Sequence, residues 1–347
     1  MRLEEDKEET SLRVVNAMKI KKEWDEFVYN HPKANIFQTS YMAEVFERTK
    51  KIEPITLVVI DEETDEILAS LLSCVMKQTN ILSSFTSWAR IRGGPLFLDN
   101  EKGIAAVSLL IQSYDSIIRK KVLYTDIWNL GNTQQLSMPI ENNGYIYEDL
   151  LNFLIDLTKS KEELWEGLNR DKRRGIKKAK ELNIAIEICI KKEEIPICYD
   201  LLQETYKNAK IPLADISLFE STFDILVSKH NAVFLFAKYD NKCIATQVAL
   251  IYKDTIYAWY TGVIREYLSY HPGDLLIWHL LEWGAENGYS MFDFGGAGNP
   301  KKEYGVREYK KQFGGQLVNF GRYKKIHSPK KLWLAEKGFE VWRRLKR

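Results

Sequence analysis

The feature that most restricts the fold of this 347-residue chain is one order of strands and helices that occurs twice. In the first half, two apolar, β-branched segments that flank a polar turn are predicted strands, and a helix and a closing strand follow them. These elements are Pro54–Ile60, Ile67–Met76, Ile104–Ile118 and Val122–Trp128.

The second half repeats this order with one more strand. Three strands joined by short polar turns predict a meander, a helix that stops at Gly288 follows, and a short strand closes the unit. These elements are Val233–Tyr239, Ile244–Tyr252, Ile256–Gly262, Asp274–Glu286 and Met291–Phe294. The repeat predicts two α/β domains, each a mixed, mostly antiparallel sheet with flanking helices. We expect their boundary near residue 150.

Composition excludes several other classes of protein. Hydrophobic residues make up 45% and charged residues 28% of the chain, which is typical of a globular protein. No apolar run approaches the roughly 20 residues that span a bilayer, and the acidic start is unlike a signal peptide, so we expect a cytoplasmic location. The four cysteines and five histidines show no metal-binding spacing, and we expect no metal site.

Positive charge is concentrated in two segments. Residues 170–180 hold seven Lys or Arg against one Asp, and residues 322–347 hold ten against two Glu. Each segment is either a solvated helix face or a surface that contacts the phosphates of RNA, a nucleotide or anionic lipids.

The second segment also has an apolar stripe at helical spacing. Its members are Leu332, Ala335, Phe339, Trp342 and Leu345. The spacing predicts an amphipathic helix, Lys330–Lys346, that packs on the first domain, and the alternative is a helix on a membrane surface.

Two short segments carry the chemistry. Asp293-Phe294-Gly295-Gly296 is an apolar strand ending in glycines, where a ligand can approach the backbone closely. Lys310, between aromatic residues in Tyr309–Phe313, could neutralise charge that develops on a substrate oxygen. The alternatives are a turn with a structural aspartate and a solvated basic turn.

Together these segments resemble the closing signature of the FemAB family, a D-x-G-G strand end followed by an F-K-x-x-F-G run. Other segments also match, in the family's order along the chain. They are Ile36-Phe37-Gln38-Thr39, Arg92-Gly93-Gly94-Pro95-Leu96, Arg173–Ala179 and Pro272–Trp278.

The resemblance implies two tandem GNAT-like (acetyltransferase-like) domains without an inserted coiled-coil arm, as in the shorter, FemX-like members. Domain 1 would be residues 1–150 completed by 317–347, and domain 2 would be 151–316 with the active cleft. The implied activity is transfer of an amino acid from aminoacyl-tRNA to an amino group of a nucleotide- or lipid-linked peptidoglycan-type precursor.

The resemblance also implies roles for individual residues. Lys310 occupies the position of the family's lysine and is the predicted catalytic residue, and Tyr260 matches an aromatic position of the acceptor channel. No cofactor is expected. The predicted substrate-binding residues are Tyr260, Asp293, Gly295, Gly296 and Arg92, and the predicted tRNA-binding residues are Arg173, Arg174 and Lys177.

Two other functions stay open from the sequence. An acyl-CoA-dependent N-acyltransferase would act on an envelope sugar or peptide and would need a glycine-rich turn at a helix N-terminus to hold the pyrophosphate. The corresponding turn, Tyr270–Asp274, has one glycine, a proline without an N–H and an aspartate that repels phosphate. A non-catalytic RNA- or envelope-binding protein is the other alternative. The acceptor and the oligomeric state are not defined by the sequence.

Overall fold

The computed structural model describes residues 11–77, 86–335 and 337. The chain divides into two compact units. Among the described residues, unit 1 comprises 11–47, 51–77, 86–148, 322–335 and 337, and unit 2 comprises 48–50 and 149–321. The residues of the predicted terminal helix beyond 337, with Phe339, Trp342 and Leu345, lie outside the described part.

Unit 1 is a mixed sheet covered by helices. Its strands are β1 (Leu12–Asn16), β2 (Ile52–Asp61), β3 (Ile67–Met76), β4 (Trp88–Arg92), β5 (Leu96–Phe97), β6 (Tyr124–Trp128), β7 (Ile146–Glu148) and β15 (Arg322–Ile326). Its helices are α1 (Lys21–Asn30), α2 (Ser40–Glu47), α3 (Glu101–Ile118) and α4 (Ser137–Glu141). The strand order is β1-β2-β3-β4-β6-β15-β7, with β5 beside β3, and β4–β6 is a parallel pair.

The core of unit 1 lies between α3 and one face of this sheet. Alternate residues of the strands, such as Ile91 and Ile127, meet the fully buried side of α3, which includes Leu110 and Tyr114. Strand β4 was absent from the elements predicted from the sequence, because its apolar residues alternate with arginines over only five positions.

Unit 2 repeats this architecture. Its strands are β8 (Leu151–Asp156), β9 (Ala185–Ile188), β10 (Ala232–Tyr239), β11 (Lys242–Tyr252), β12 (Thr255–Val263), β13 (Met291–Gly296) and β14 (Gln316–Asn319). Its helices are α5 (Lys161–Gly167), α6 (Arg170–Glu181), α7 (Ile195–Ala209), α8 (Ile216–Leu226), α9 (Pro272–Glu286) and α10 (Gly305–Lys311). The order is β14-β8-β13-β12-β11-β10-β9, and β12–β13 is the parallel pair.

Helix α9 is the central helix of unit 2. Nearly every residue of its first three turns is buried, as its apolar composition predicts. It packs on the sheet with α6, whose buried positions recur at helical spacing. The predicted mixed sheets and flanking helices are confirmed in both units. No helix of the described residues is long and apolar enough to cross a membrane.

Helix α7 lies unusually close to the end of β12. A Cβ atom added at Gly262 would lie 2.7 Å from the backbone carbonyl of Leu201, so no larger residue fits there. The Thr205 hydroxyl bridges the helix to the strand, because it accepts a bond from the Val263 N–H and donates one to the Val263 carbonyl.

This contact predicts that Gly262→Ala destabilises unit 2. The added methyl group would push backbone against backbone, and such overpacking costs about 1–3 kcal/mol. Urea unfolding followed by circular dichroism measures the loss. Gly167→Ala is the control, since its Cβ would meet no atom within 4 Å. Equal midpoints for the two variants would contradict the prediction.

Candidate active site

The parallel pair of unit 2 opens into a gap. Strands β12 and β13 pair from Thr255 and Met291 as far as Tyr257 and Asp293, and both strands continue beyond that register. A bulge in β12 at Trp259 bends the strand at the same level, since Val248 faces Tyr260 and Ala249 faces Ala258. Backbone groups that a neighbouring strand would otherwise cover therefore line the gap.

The end of β13 is shaped by Asp293. Its carboxylate, 3% exposed, accepts hydrogen bonds from the Asn152 amide at 2.8 Å and from the Gly295 N–H at 2.7 Å. Gly295 has a φ of +73°, which favours glycine at this position. Asp293 therefore fixes the backbone conformation at Gly295 and Gly296. This is the structural role that the sequence left open as the alternative to substrate binding.

Lys310 reaches the same strand end from α10. Its ammonium group donates hydrogen bonds to the carbonyls of Phe294 at 2.5 Å, Gly295 at 3.0 Å and Gly296 at 3.0 Å. An ammonium group has three N–H donors, and all three are satisfied by this strand end. The structure thus brings together Lys310, Gly295 and Gly296 and puts one positive charge at the end of β13.

Tyr260 lies in an aromatic cluster beside the bulge. Its ring is 4.9 Å from those of Trp259 and Phe219 and 5.7 Å from that of Tyr206 on α7. Burial and the phenols of Tyr260 and Tyr304 raise the pKa of Tyr206. Tyr206 therefore stays protonated near neutral pH and can act as a hydrogen-bond donor.

A buried ion pair joins three helices behind this site. The ammonium group of Lys172 on α6, 8% exposed, lies 2.8 Å from the carboxylate of Asp274 on α9. The Tyr309 hydroxyl of α10 donates to the same oxygen at 3.0 Å, and burial beside this carboxylate raises the pKa of Tyr309. The His271 Nδ1 lies 3.1 Å from the second oxygen of Asp274.

Aromatic rings enclose the Lys172 side chain. Its ammonium group lies 4.0 Å from the ring centre of Tyr309 and 5.1 Å from that of Phe313. Lys172 therefore lies in the interior of unit 2, and the phosphate-contacting surface considered for residues 170–180 does not include its side chain. The burial of Lys172 could have been predicted from the sequence by helical spacing. The residues that share one face of α6 are Lys172, Gly175, Ile176 and Ala179.

The three predicted tRNA-binding residues lie on the other side of α6. Arg174 and Lys177 are exposed, and Arg173 is half-buried and donates to the Glu166 carbonyl. Helix α6 therefore presents a basic face opposite its buried face.

Arg92 lies in unit 1, at the end of β4. Its guanidinium group stacks 4.0 Å from the ring centre of Phe37, and its carbonyl accepts from the Gln38 amide. The Asn35 amide donates to the next carbonyl, that of Gly93. Within unit 1, Arg92 thus belongs to a packed turn that these side chains brace.

Two mixed sheets, each with one parallel pair and flanking helices, define a tandem GNAT fold, the fold of an acyltransferase. Residues 168–311 match the sequence profile of an acetyltransferase (GNAT) domain. The predicted fold and the predicted enzyme class, acyltransferase, are thereby confirmed. No curated protein sequence matches the chain.

Several solved structures share this fold. FemX is similar over 91% of this chain and 97% of its own, with a TM-score of 0.68 and 16% identity. The C-terminal domain of a putative lysylphosphatidylglycerol synthetase from Agrobacterium fabrum is similar over 93% of this chain and 96% of its own, with a TM-score of 0.56 and 13% identity. A tandem GNAT protein from the clavulanic acid biosynthesis pathway is similar over 92% of this chain and 99% of its own, with a TM-score of 0.56 and 11% identity. The resemblance to FemX-like proteins is confirmed at the level of fold.

The GNAT fold raises the question of coenzyme A, and the N-terminus of α9 does not fit its pyrophosphate. His271 precedes the helix with a φ of 59°, and Pro272 occupies the first turn without an N–H to donate. The Asp274 carboxylate lies in that same turn, where a phosphate would otherwise accept backbone N–H bonds. One oxygen of this carboxylate contacts Lys172 and the other contacts His271. The anionic group in this turn is therefore a side chain of the protein instead of an external anion.

The buried pair predicts a large effect of Lys172→Ala on unfolding. The substitution leaves the Asp274 charge buried without its cation, and breaking such a pair costs about 3–5 kcal/mol. Urea unfolding of unit 2 measures the change. The matched control is Lys180→Ala, an exposed lysine of the same helix, for which we expect less than about 0.5 kcal/mol. Similar midpoints for the two variants would show that the pair contributes little.

Proposed function

We propose that unit 2 transfers an aminoacyl group from aminoacyl-tRNA to an amino group of a peptidoglycan-type envelope precursor. The observation that carries this proposal is Asp274 at the start of α9, because it disfavours the pyrophosphate of an acyl-CoA donor in an acyltransferase fold. The similarity in fold to FemX supports the choice of donor and acceptor.

The chemistry is direct acyl transfer. The acceptor amine attacks the ester carbonyl carbon, the bond to the ribose oxygen breaks, and the proton lost by the amine is the one that the leaving oxygen needs. A cysteine nucleophile is disfavoured at the buried Cys189 and Cys198, because burial raises the pKa of each thiol to about 12. Holding two substrates in line is then the main task of the protein.

The gap between β12 and β13 is the proposed place of reaction. In this proposal the ester approaches the strand end at Gly295 and Gly296, which have no side chains, and the rings of Tyr206 and Tyr260 contact the acceptor on the β12 side of the gap. Lys310 has two tasks in this scheme. It fixes the three carbonyls of the strand end, and its charge lowers the energy of the oxyanion that develops nearby.

The exposed face of α6 is the proposed contact for the tRNA backbone. Arg173, Arg174 and Lys177 lie on the helix whose buried side holds Asp274 through Lys172. RNA that binds this face would place its phosphates on α6, the helix that Lys172 ties to Asp274. This binding needs no base-specific contact.

Lys310→Ala is expected to reduce single-turnover transfer about 10²- to 10³-fold, by loss of the charge and of the fixed strand end. Binding of the donor should change much less, since the charge acts on the transition state. Lys310→Arg should restore only part of the rate, because a planar guanidinium cannot satisfy the same three carbonyls.

Lys311→Ala is the matched control for this prediction. Lys311 is the next residue of α10, is exposed, and points away from its neighbour. Near-normal transfer by both alanine variants would remove Lys310 from the mechanism. Circular dichroism of both variants checks that the fold is retained.

Salt dependence tests the RNA-binding face. The slope of log affinity for tRNA against log salt is negative. Arg174→Ala with Lys177→Ala should reduce its magnitude by roughly two, about one for each lost phosphate contact. The control pair is Lys159→Ala with Lys191→Ala, two exposed lysines elsewhere in unit 2. An unchanged slope for the first pair would leave the charges of α6 as a solvated face.

A further inference from the structure

Unit 1 exposes apolar side chains in its C-terminal segment. Trp333 is 58% exposed and Leu334 is 53% exposed. With Pro329 and Lys330 they line one shallow depression, which we name the terminal patch. A tryptophan and a leucine in adjacent positions, both more than half exposed, form a surface that water solvates poorly.

These residues are not part of the stripe predicted to pack on unit 1. Residues 329–335 are helical, and the stripe residues Leu332 and Ala335 are half-buried there. Trp333 and Leu334 lie on the remaining side of the helix. The helical residues 329–335 therefore carry exposed apolar side chains on a second side, outside the predicted stripe.

The adjoining strand continues the same combination of apolar and basic side chains. Lys324 of β15 faces Ile146 of β7, and Ile326 lies two residues further along the same face. Ile146 is 70% exposed and Ile326 is 46% exposed. Exposed apolar side chains thus accompany lysines both in β15 and in the helical residues that follow it.

Charge indicates the kind of partner. Lys330 of the terminal patch is exposed, and residues 331–347 hold six further Lys or Arg against two Glu. Tryptophan is the residue type that best suits the boundary between lipid headgroups and acyl chains. Lysines beside it can keep their ammonium groups among headgroup phosphates while their stems cover apolar surface.

We propose that the terminal patch docks unit 1 on an anionic lipid bilayer, with Trp333 and Leu334 inserted at the headgroup boundary and Lys330 on a lipid phosphate. This inference goes beyond the proposed transfer reaction and does not depend on it. Binding combines apolar burial with attraction to the negatively charged surface, so it requires both groups of residues.

The experiment is co-sedimentation of the full chain with vesicles of phosphatidylcholine alone or of phosphatidylcholine with phosphatidylglycerol. We expect binding to the anionic vesicles that weakens as salt is added, and little binding to the neutral ones. Trp333→Ala with Leu334→Ala should weaken it about tenfold or more. Lys330→Glu should weaken it about fivefold or more.

Ile190→Ala with Ile211→Ala is the control, since these isoleucines of unit 2 are 73% and 53% exposed. Its binding to anionic vesicles should equal that of the unchanged chain. Equal binding to neutral and anionic vesicles, or anionic binding that the Trp333 and Leu334 variant retains, would overturn the proposal. So would a dimer in analytical ultracentrifugation that this variant dissociates, because the patch would then bind a second copy.

Discussion

The arrangement of unit 2 depends on one buried carboxylate, that of Asp274. It stands in the first turn of α9 and binds Lys172 of α6, the Tyr309 hydroxyl of α10 and His271. An isolated charge at this depth would be costly, and the ion pair with hydrogen bonds on both oxygens offsets that cost. Three helices are thereby held at one point.

This arrangement also fixes the position of Lys310. Its neighbour Tyr309 is tied to Asp274, and the ring of Phe313 packs on those of Tyr309 and Phe294. Helix α10 therefore has little freedom, and its lysine meets three carbonyls of β13 at hydrogen-bond distance. The proposed transfer chemistry needs a charge held in this way, since a mobile ammonium group would have to be ordered during the reaction.

In the proposed function, the same carboxylate disfavours coenzyme A as the carrier of the acyl group. A helix N-terminus attracts anions, and in this chain an anionic side chain of the protein occupies the first turn. The donor that we propose, aminoacyl-tRNA, has no need of that position. Its phosphates would instead be met by the exposed face of α6.

Much of the fold could be predicted from the sequence, because period-two and helical patterns in the long elements are strong. The meander β10–β12 and helix α9 fall within a few residues of their predicted bounds. Strand β4 could not be found, since a five-residue strand with alternating arginines has no clear apolar pattern. The structure places the Lys310 ammonium group at hydrogen-bond distance from the Gly295 carbonyl, and the functional roles expected of both residues stay predictions.

The contacts of these site residues could not be predicted. Spacing indicates which residues share a helix face, but it does not show that Lys310 would meet backbone carbonyls or that Lys172 would meet Asp274, 102 positions away. Asp274 appeared in the sequence only as a charge that repels phosphate. Its role as an anchor for three helices depends on tertiary packing, which no local pattern contains.

Amide hydrogen exchange of unit 2 in the presence of different donors tests the central claim most directly. We predict that aminoacyl-tRNA protects the backbone at 258–263 and 294–298, that deacylated tRNA protects it less, and that acetyl-CoA leaves it unchanged. Protection of residues 272–275 by acetyl-CoA would contradict the account, because the start of α9 would then hold a pyrophosphate beside Asp274.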